Sequence, residues 1–575
     1  MTSLQNAATA PVSRPDDPGP MLARSDARLV LGHLVVAFAA LLLGGVCGLL
    51  QAWVRSGRLT LPANIGYYQL LTAHGVLMAL VFTTFFIMGW LLSGMAHTLG
   101  GSLRPRVSRM AWAGYILMVA GTATTATPIL LNDASVLYTF YAPMQAAPAY
   151  YIGLALVVVG SWLSSWAMFG QYVWWRRMQR SIVTVDAPVP PSPLFAYMSV
   201  VVLIIWQIAT LGVAAEVLLQ LIPWSLGWTD SINVLLSRSL FWFFGHPLVY
   251  FWLMPSYIAW YVVLPKIIGG KIFSDSLARL AFLMLMLFSI PVGFHHQFNE
   301  PGITEQWKFL HSVLTMFVMV PSLMTAFALF ATLELAGRSR GGRGWLGWIR
   351  KLPWGDARFL ALFMAMVLFI FGGAGGGILA SNQLNGLFHN TIFITGHFHL
   401  TVASAVALSF FGIAYWLVPH VSGRAMGPRA NRVALVQVGL WSVGMVIMSG
   451  AQHLVGLQGD PRRTAYVDRS ADVTSGAIGN WLPYETAAAI GGSLLFVGVL
   501  LVVGLVVWLA WLAPRNPSPF PLGEVADDAV PTPALLERWR VWIAISVVLI
   551  IIAYAIPLSE QIGHAPPGSP PVHIS

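Results

Sequence analysis

The chain has 575 residues, of which 57% are hydrophobic and only 9% charged. Soluble domains carry about 25% charged residues, so a water-covered globular surface is excluded and lipid is the expected solvent. The net charge of +10 is read as positive-inside loops of a membrane protein and not as a nucleic-acid surface. The single cysteine, Cys47, lies in an apolar run. Disulfide frameworks, thiolate metal sites and Cys-bound iron–sulfur clusters are thereby excluded within this chain, and any metal must take nitrogen or oxygen ligands.

In chain order, residues 1–25 are polar and rich in Pro and Ala, without the apolar core and cleavage pattern of a signal peptide. They read as a disordered cytoplasmic tail. A spanning helix needs roughly 20 apolar residues. About thirteen segments supply them, near 28–53, 70–96, 108–131, 149–175, 194–222, 237–265, 277–299, 309–335, 358–380, 390–419, 432–456, 485–512 and 537–557. The predicted fold is an all-α membrane bundle forming one domain over 26–560, followed by a Pro-rich outer tail at 561–575. No internal repeat or soluble domain is visible. Basic residues cluster after segments two, four, six, eight and ten, for example Arg104, Arg106 and Arg109, or Arg424, Arg429 and Arg432. The positive-inside rule makes those loops cytoplasmic, with the N-terminus inside and the C-terminus outside.

Among the 14 histidines, six that lie within spans stand out: His74, His246, the pair His295 and His296, and the pair His397 and His399. With this topology all six fall in one layer toward the outer face. Ionisable groups at such depth are rare and usually functional, and imidazole suits copper and iron. A single buried histidine can equally be a satisfied structural group; six in one layer point to metal. Successive helical residues turn about 100°. His397 and His399 therefore face nearly opposite ways and could serve two metals. His295 and His296 could share one metal only on a distorted backbone, and Pro291 and Gly293 lie just upstream to loosen it. His246 and Tyr250, four apart, share a face.

The stretches FWFFGHPLVYFWLMPSY, PVGFHHQF and TGHFHL closely resemble the catalytic subunit of heme–copper oxygen reductases. LYTFYAP, HSVLTMFVMVPSLMTAF and ELAGRSRGGRGWLGWIRKLPW resemble the B-type branch, and the resemblance runs from about residue 28 to 557. It implies that His74 and His399 are the axial ligands of a low-spin heme, of b type in this branch. It implies that His397 is the proximal ligand of a high-spin heme, a- or b-type, and that His246, His295 and His296 hold one copper ion. Tyr250 matches the active-site tyrosine that family members bond covalently to the first copper histidine. Arg462 and Arg463 match an arginine pair that binds heme propionates, and bidentate pairing suits that task. His389 matches a histidine near the propionates. The family's aspartate four residues before it is Asn385 here, which puts a proton-sharing role there in doubt.

Protons need a path to such a site. Tyr250, Tyr257 and Tyr261 form one stripe of segment six, and Thr315, Ser322 and Thr325 lie within about 80° on segment eight. Such hydroxyls are either a proton relay or ordinary helix–helix contacts; their positions match the B-type path, with Ser274 near its entrance. Leu248 stands where the A-type branch has an acid, and no carboxylate occurs between Phe241 and Pro265. A second, glutamate-ended path is not expected.

The resemblance further implies a terminal oxidase of the bacterial or archaeal cell membrane. It would reduce O2 to water with electrons from cytochrome c, coupled to proton translocation. Its partners would be a second subunit with a two-copper centre, which one cysteine cannot build here, and a small single-helix subunit. A nitric oxide reductase or a quinol oxidase of the same superfamily, a heme-free proton or solute transporter, and a heme sensor are the rival readings. The transporter predicts no heme, and the sensor needs no second metal.

Overall fold

The computed structural model describes residues 22–182, 189–465, 475–523, 532–564 and 568–573. The N-terminal tail expected at 1–25 therefore falls almost wholly outside the described residues. Among the described residues, thirteen helices are long and apolar enough to cross a membrane. They are α1 (Arg24–Arg55), α2 (Tyr67–Thr98), α3 (Pro105–Leu130), α4 (Pro148–Ile182), α5 (Leu194–Ser225), α6 (Val234–Ile267) and α7 (Asp275–Gln297). The remainder are α8 (Glu305–Ser339), α9 (Ala357–Ala380), α10 (Phe393–Ser422), α11 (Pro428–Gly456), α12 (Ala477–Leu512) and α13 (Trp539–Gly563).

Lipid tails are as apolar as leucine, so helices in a membrane associate through close packing and interhelical hydrogen bonds. Both occur here. Where α3 crosses α4, glycines face each other. A Cβ on Gly121 would lie 2.7 Å from the carbonyl oxygen of Gly153, and one on Gly160 would lie 2.7 Å from that of Gly114. Elsewhere indole N–H groups bind across helix pairs. Trp162 donates to Thr210 (2.7 Å), Trp206 to Ser161 (2.8 Å), Trp260 to Ser409 (2.9 Å) and Trp53 to Ser493 (3.0 Å). These bonds join α4 to α5, α6 to α10 and α1 to α12. Stacked rings of Phe86 and Phe410, 4.1 Å apart, fix α2 against α10.

The apolar stretch of α6 is 94% buried and that of α10 is 89% buried, against 22% for α13 and 28% for α8. Two helices that carry candidate ligands, α6 with His246 and α10 with His397 and His399, are therefore the most enclosed of the bundle. Two expected single helices are broken. The regular part of α7 stops at Ser289, and after a bend Phe294–Gln297 form a short 3₁₀ turn. In α8 the helix runs from Glu305 to Met316 and resumes at Met319. Pro321 has no N–H for the Phe317 carbonyl, which instead takes the N–H of Val320 (3.1 Å). The α10 helix changes to π geometry over His399–Val406; such insertions recur at functional sites. The C-terminal segment is anchored: Ile232 and Ser569 bond reciprocally, and Val572 donates to the Pro143 carbonyl (2.8 Å).

The α3–α4 contact yields a test. Gly121→Leu forces side-chain atoms into the α4 backbone, and overpacking costs about 1–3 kcal/mol. A lowered thermal midpoint in detergent is expected, with any bound chromophore spectrally unchanged, because the contact is remote from the histidines.

Candidate metal centre

His246, on the central helix α6, and His295 and His296, on the 3₁₀ turn of α7, converge. Their ligand atoms lie within 4.8 Å of one another, the only such cluster of three among the described residues. Nδ1 of His246 is 3.1 Å from Nε2 of His296, while Nε2 of His246 is buried without a hydrogen-bond partner. Unpartnered buried ring nitrogens are costly, and a cation coordinated by three neutral imidazoles would satisfy them. The break after Ser289 makes this possible. On a continuous helix, adjacent residues would diverge by about 100°; off it, the His295 and His296 rings lie 4.2 Å apart and both reach His246.

The ring planes are set by neighbours. Trp242 stacks on His296 at 3.9 Å, nearly parallel. The Thr315 hydroxyl lies 3.1 Å from Nδ1 of His295. Trp242 was missed in the sequence reading, although its place four residues before His246 puts it on the same helix face. Thr315, expected at the head of a hydroxyl stripe, sits directly on a candidate ligand. Tyr250 lies beside His246, ring centroids 5.2 Å apart.

The other three histidines share one device. Nδ1 of His74 donates to the Gly44 carbonyl (2.8 Å), that of His397 to Gly372 (2.9 Å) and that of His399 to Thr395 (2.8 Å). Each bond fixes the tautomer and leaves Nε2 to act as a ligand, the usual second partner of a metal-bound imidazole. His74 and His399 line one elongated cavity between α1, α2, α10, α11 and α12. His397 turns the other way, against Gly375 and Gly376 of α9. The two-faced arrangement expected of α10 is thus present.

Arg462 and Arg463 also line that cavity. Arg463 adopts a left-handed φ of 63°, costly for a non-glycine residue. Its guanidinium lies over the rings of Tyr138 (5.9 Å) and Tyr141 (5.3 Å). Burial, and then the charge of Arg463, pushes Arg462 down to about 9; among the described residues no carboxylate is recorded against either. An anionic group in the cavity would relieve both, which is what heme propionates would do. Burial, and then Arg462 and Arg463, also pushes His389 down to about 4, so it is neutral at pH 7. Its Nδ1 donates to Oδ1 of Asn385 (2.8 Å), whose amide donates to the Leu379 carbonyl (2.7 Å). Asn385 keeps the acceptor that an aspartate would offer, without the charge. The donor sets and the cradle therefore fit two hemes and a copper.

Of the hydroxyls, Tyr257 faces Ser322 and Tyr261 faces Thr325. Both hydroxyls of the second pair are buried and make no direct hydrogen bond. Ser322 also donates to the Val318 carbonyl (2.9 Å). Ser274 caps α7, accepting from the Leu277 N–H (3.3 Å).

Comparison with known proteins agrees with this layout. Residues 28–494 match the family described as Cytochrome C and Quinol oxidase polypeptide I. The chain is 40% identical over 560 residues to cytochrome c oxidase subunit 1 of Thermus thermophilus, covering 94% of this chain and 96% of that one. It is 26% identical over 464 residues to cytochrome c oxidase subunit 1 of Corynebacterium diphtheriae, covering 77% of each. A cryo-EM structure of a heme–copper terminal oxidase dimer superposes with a TM-score of 0.88 at 35% identity, over 95% of both chains. The chain belongs to the heme–copper oxidase subunit I family. It is a multi-pass membrane oxidoreductase of the cytochrome c oxidase type, and the family implies hemes and copper as cofactors.

The His74 pocket is testable. A Cβ on Gly48 would lie 2.7 Å from Nδ1 of His74. Gly48→Val should displace that ring and lose or shift the low-spin heme band in the reduced-minus-oxidised spectrum. The carbon monoxide difference spectrum of the high-spin heme should be unchanged.

Proposed function

We infer that the chain is the subunit of a terminal respiratory oxidase that reduces O2 to water with electrons from cytochrome c, coupled to proton translocation. The observation that carries this reading is the convergence of His246, His295 and His296 beside Tyr250. The trio would hold copper, His397 the high-spin heme, and His74 with His399 the low-spin heme. Arg462, Arg463 and His389 would bind propionates, with Asn385 orienting His389. When bound, these groups carry electrons and bind O2.

The residues' own tasks follow from position. Gly44, Gly372 and Thr395 carbonyls hold three imidazoles in the ligating tautomer. Thr315 and Trp242 fix the planes of His295 and His296 by hydrogen bonding and stacking. Tyr250 is buried at the trio and can give up its hydroxyl proton there, which the four-electron reduction of O2 requires as it consumes four protons. Behind it, Tyr257 with Ser322 and Tyr261 with Thr325 form a ladder of hydroxyls between α6 and α8. Hydroxyl pairs bridged by water pass protons through an apolar interior. Ser274, capping α7, would stand at its entrance. No acidic side chain lies on α6 from Phe241 to Pro265, so this ladder is the route that α6 offers. The donor, a partner subunit with a two-copper centre, a small single-helix subunit and placement in a bacterial or archaeal cell membrane with the N-terminus cytoplasmic belong to the same reading. The likeness to cytochrome c oxidase subunit 1 supports the donor and a further subunit, and the basic loops support the orientation.

Heme and metal analysis of the purified protein tests it. Two hemes and one copper in this chain, with one heme shifting on carbon monoxide, is the expected result. Non-heme iron in place of copper would indicate nitric oxide reduction, and absence of heme would indicate a transporter. Tyr250→Phe should keep all three groups yet lower oxygen consumption by about 10²-fold or more, the scale of a lost proton donor. Tyr261→Phe should lower it about tenfold, the scale of one broken link of roughly 1.4 kcal/mol.

A further inference from the structure

Once α7 stops at Ser289, the backbone loses its helical acceptors. The N–H groups that follow are buried: Ile290, Val292 and Phe294 are fully inaccessible. Buried main-chain N–H groups must be paired, and the turn carrying His295 and His296 depends on how this is done. Nδ1 of His311 on α8 does it. It accepts from the N–H of Gly293 (3.0 Å) and from the N–H of Phe294 (3.2 Å). A ring nitrogen that accepts two hydrogen bonds carries no proton, so the proton is on Nε2. That atom donates to the Ala553 carbonyl of α13 (3.1 Å).

The Ala553 carbonyl has a reason to be free. Its helical partner would be the N–H four residues on, and that residue is Pro557, inside α13, which has none. The contact is also closed sterically. The His311 ring stacks on Phe294 (4.4 Å) and meets Tyr554 edge-on (5.0 Å). A Cβ on Gly293 would lie 2.7 Å from the Trp242 carbonyl oxygen and against the Tyr554 hydroxyl. His311 is completely buried, and neither the ligand set nor the proton ladder uses it.

We propose that His311 is the positioning residue of the copper site: its Nδ1 holds the Gly293–Phe294 backbone that presents His295 and His296, and the Pro557-freed carbonyl of Ala553 holds its tautomer. The outermost helix, α13, is thereby part of the metal centre's support although it supplies no ligand. This rests on reading the histidine trio as a copper site.

Two substitutions separate hydrogen bonding from ring packing. His311→Phe keeps the ring against Phe294 and Tyr554 but removes the acceptor. His311→Asn loses the ring but places an amide oxygen where Nδ1 stood. Copper per two hemes and the copper–nitrogen shell in X-ray absorption are measured in the purified holoenzyme before and after dialysis against a copper chelator. The low-spin heme band reports that the bundle has folded. His311→Phe should hold copper about tenfold more weakly, the scale of a lost outer partner of a metal ligand, and His311→Asn should retain it. Phe retaining copper with an unchanged shell, or Asn losing it with both hemes intact, would overturn the proposal. If His311→Phe accumulates without heme, the Asn variant alone decides by the same criterion. His246→Ala is the control for the premise: copper unaffected by that change would overturn the reading of the trio itself.

Discussion

Every buried imidazole has two nitrogens to satisfy, and in a bundle of 9% charged residues there are few side chains to do it. Main-chain oxygens do most of the work. Gly44, Gly372 and Thr395 each accept from one histidine nitrogen, which leaves the opposite nitrogen able to take a metal. These carbonyls belong to helices that are already hydrogen-bonded, so an extra acceptor lone pair serves without disturbing the ladder. The rest of the site depends on this arrangement, because a ring free to rotate would bring neither the right atom nor the right plane to a metal.

Departures from helical regularity place the groups that regular helices could not. The stop at Ser289 lets two adjacent histidines face one point. The π stretch that begins at His399 re-phases α10 after the second of its two histidines. The gap between Met316 and Met319 offsets Thr315, which serves His295, from Ser322 and Thr325, which face the tyrosines of α6. Pro321 and Pro557 act alike, each withholding an N–H and leaving a carbonyl to find another donor. Such breaks are tolerated at membrane depth where neighbouring groups satisfy the freed backbone, as His311 does for the turn of α7 and for the Ala553 carbonyl.

Much of this was legible from the chain. Thirteen apolar runs became thirteen helices, since length and hydropathy decide spans directly. The rarity and shared depth of intramembrane histidines marked six candidates, while the grouping of His246, His295 and His296 as one trio came only with the family resemblance. The opposite faces of His397 and His399 followed from a two-residue spacing. Trp242 was readable in principle from its four-residue offset to His246. The contact of Thr315 with His295 was not, because a helical stripe of hydroxyls shows periodicity and no partner.

The sequence by itself determined the solvent, the number of crossings and the residues able to bind metal, all of which depend on local composition and spacing. Only the tertiary structure decided how each ring is held. The partners of His74, His397 and Arg463 are the Gly44 carbonyl, the Gly372 carbonyl and the rings of Tyr138 and Tyr141. Those partners lie tens to hundreds of residues away along the chain. A carbonyl is carried by every residue alike, so nothing in the residue type marks the one that will accept, and helix packing alone selects it.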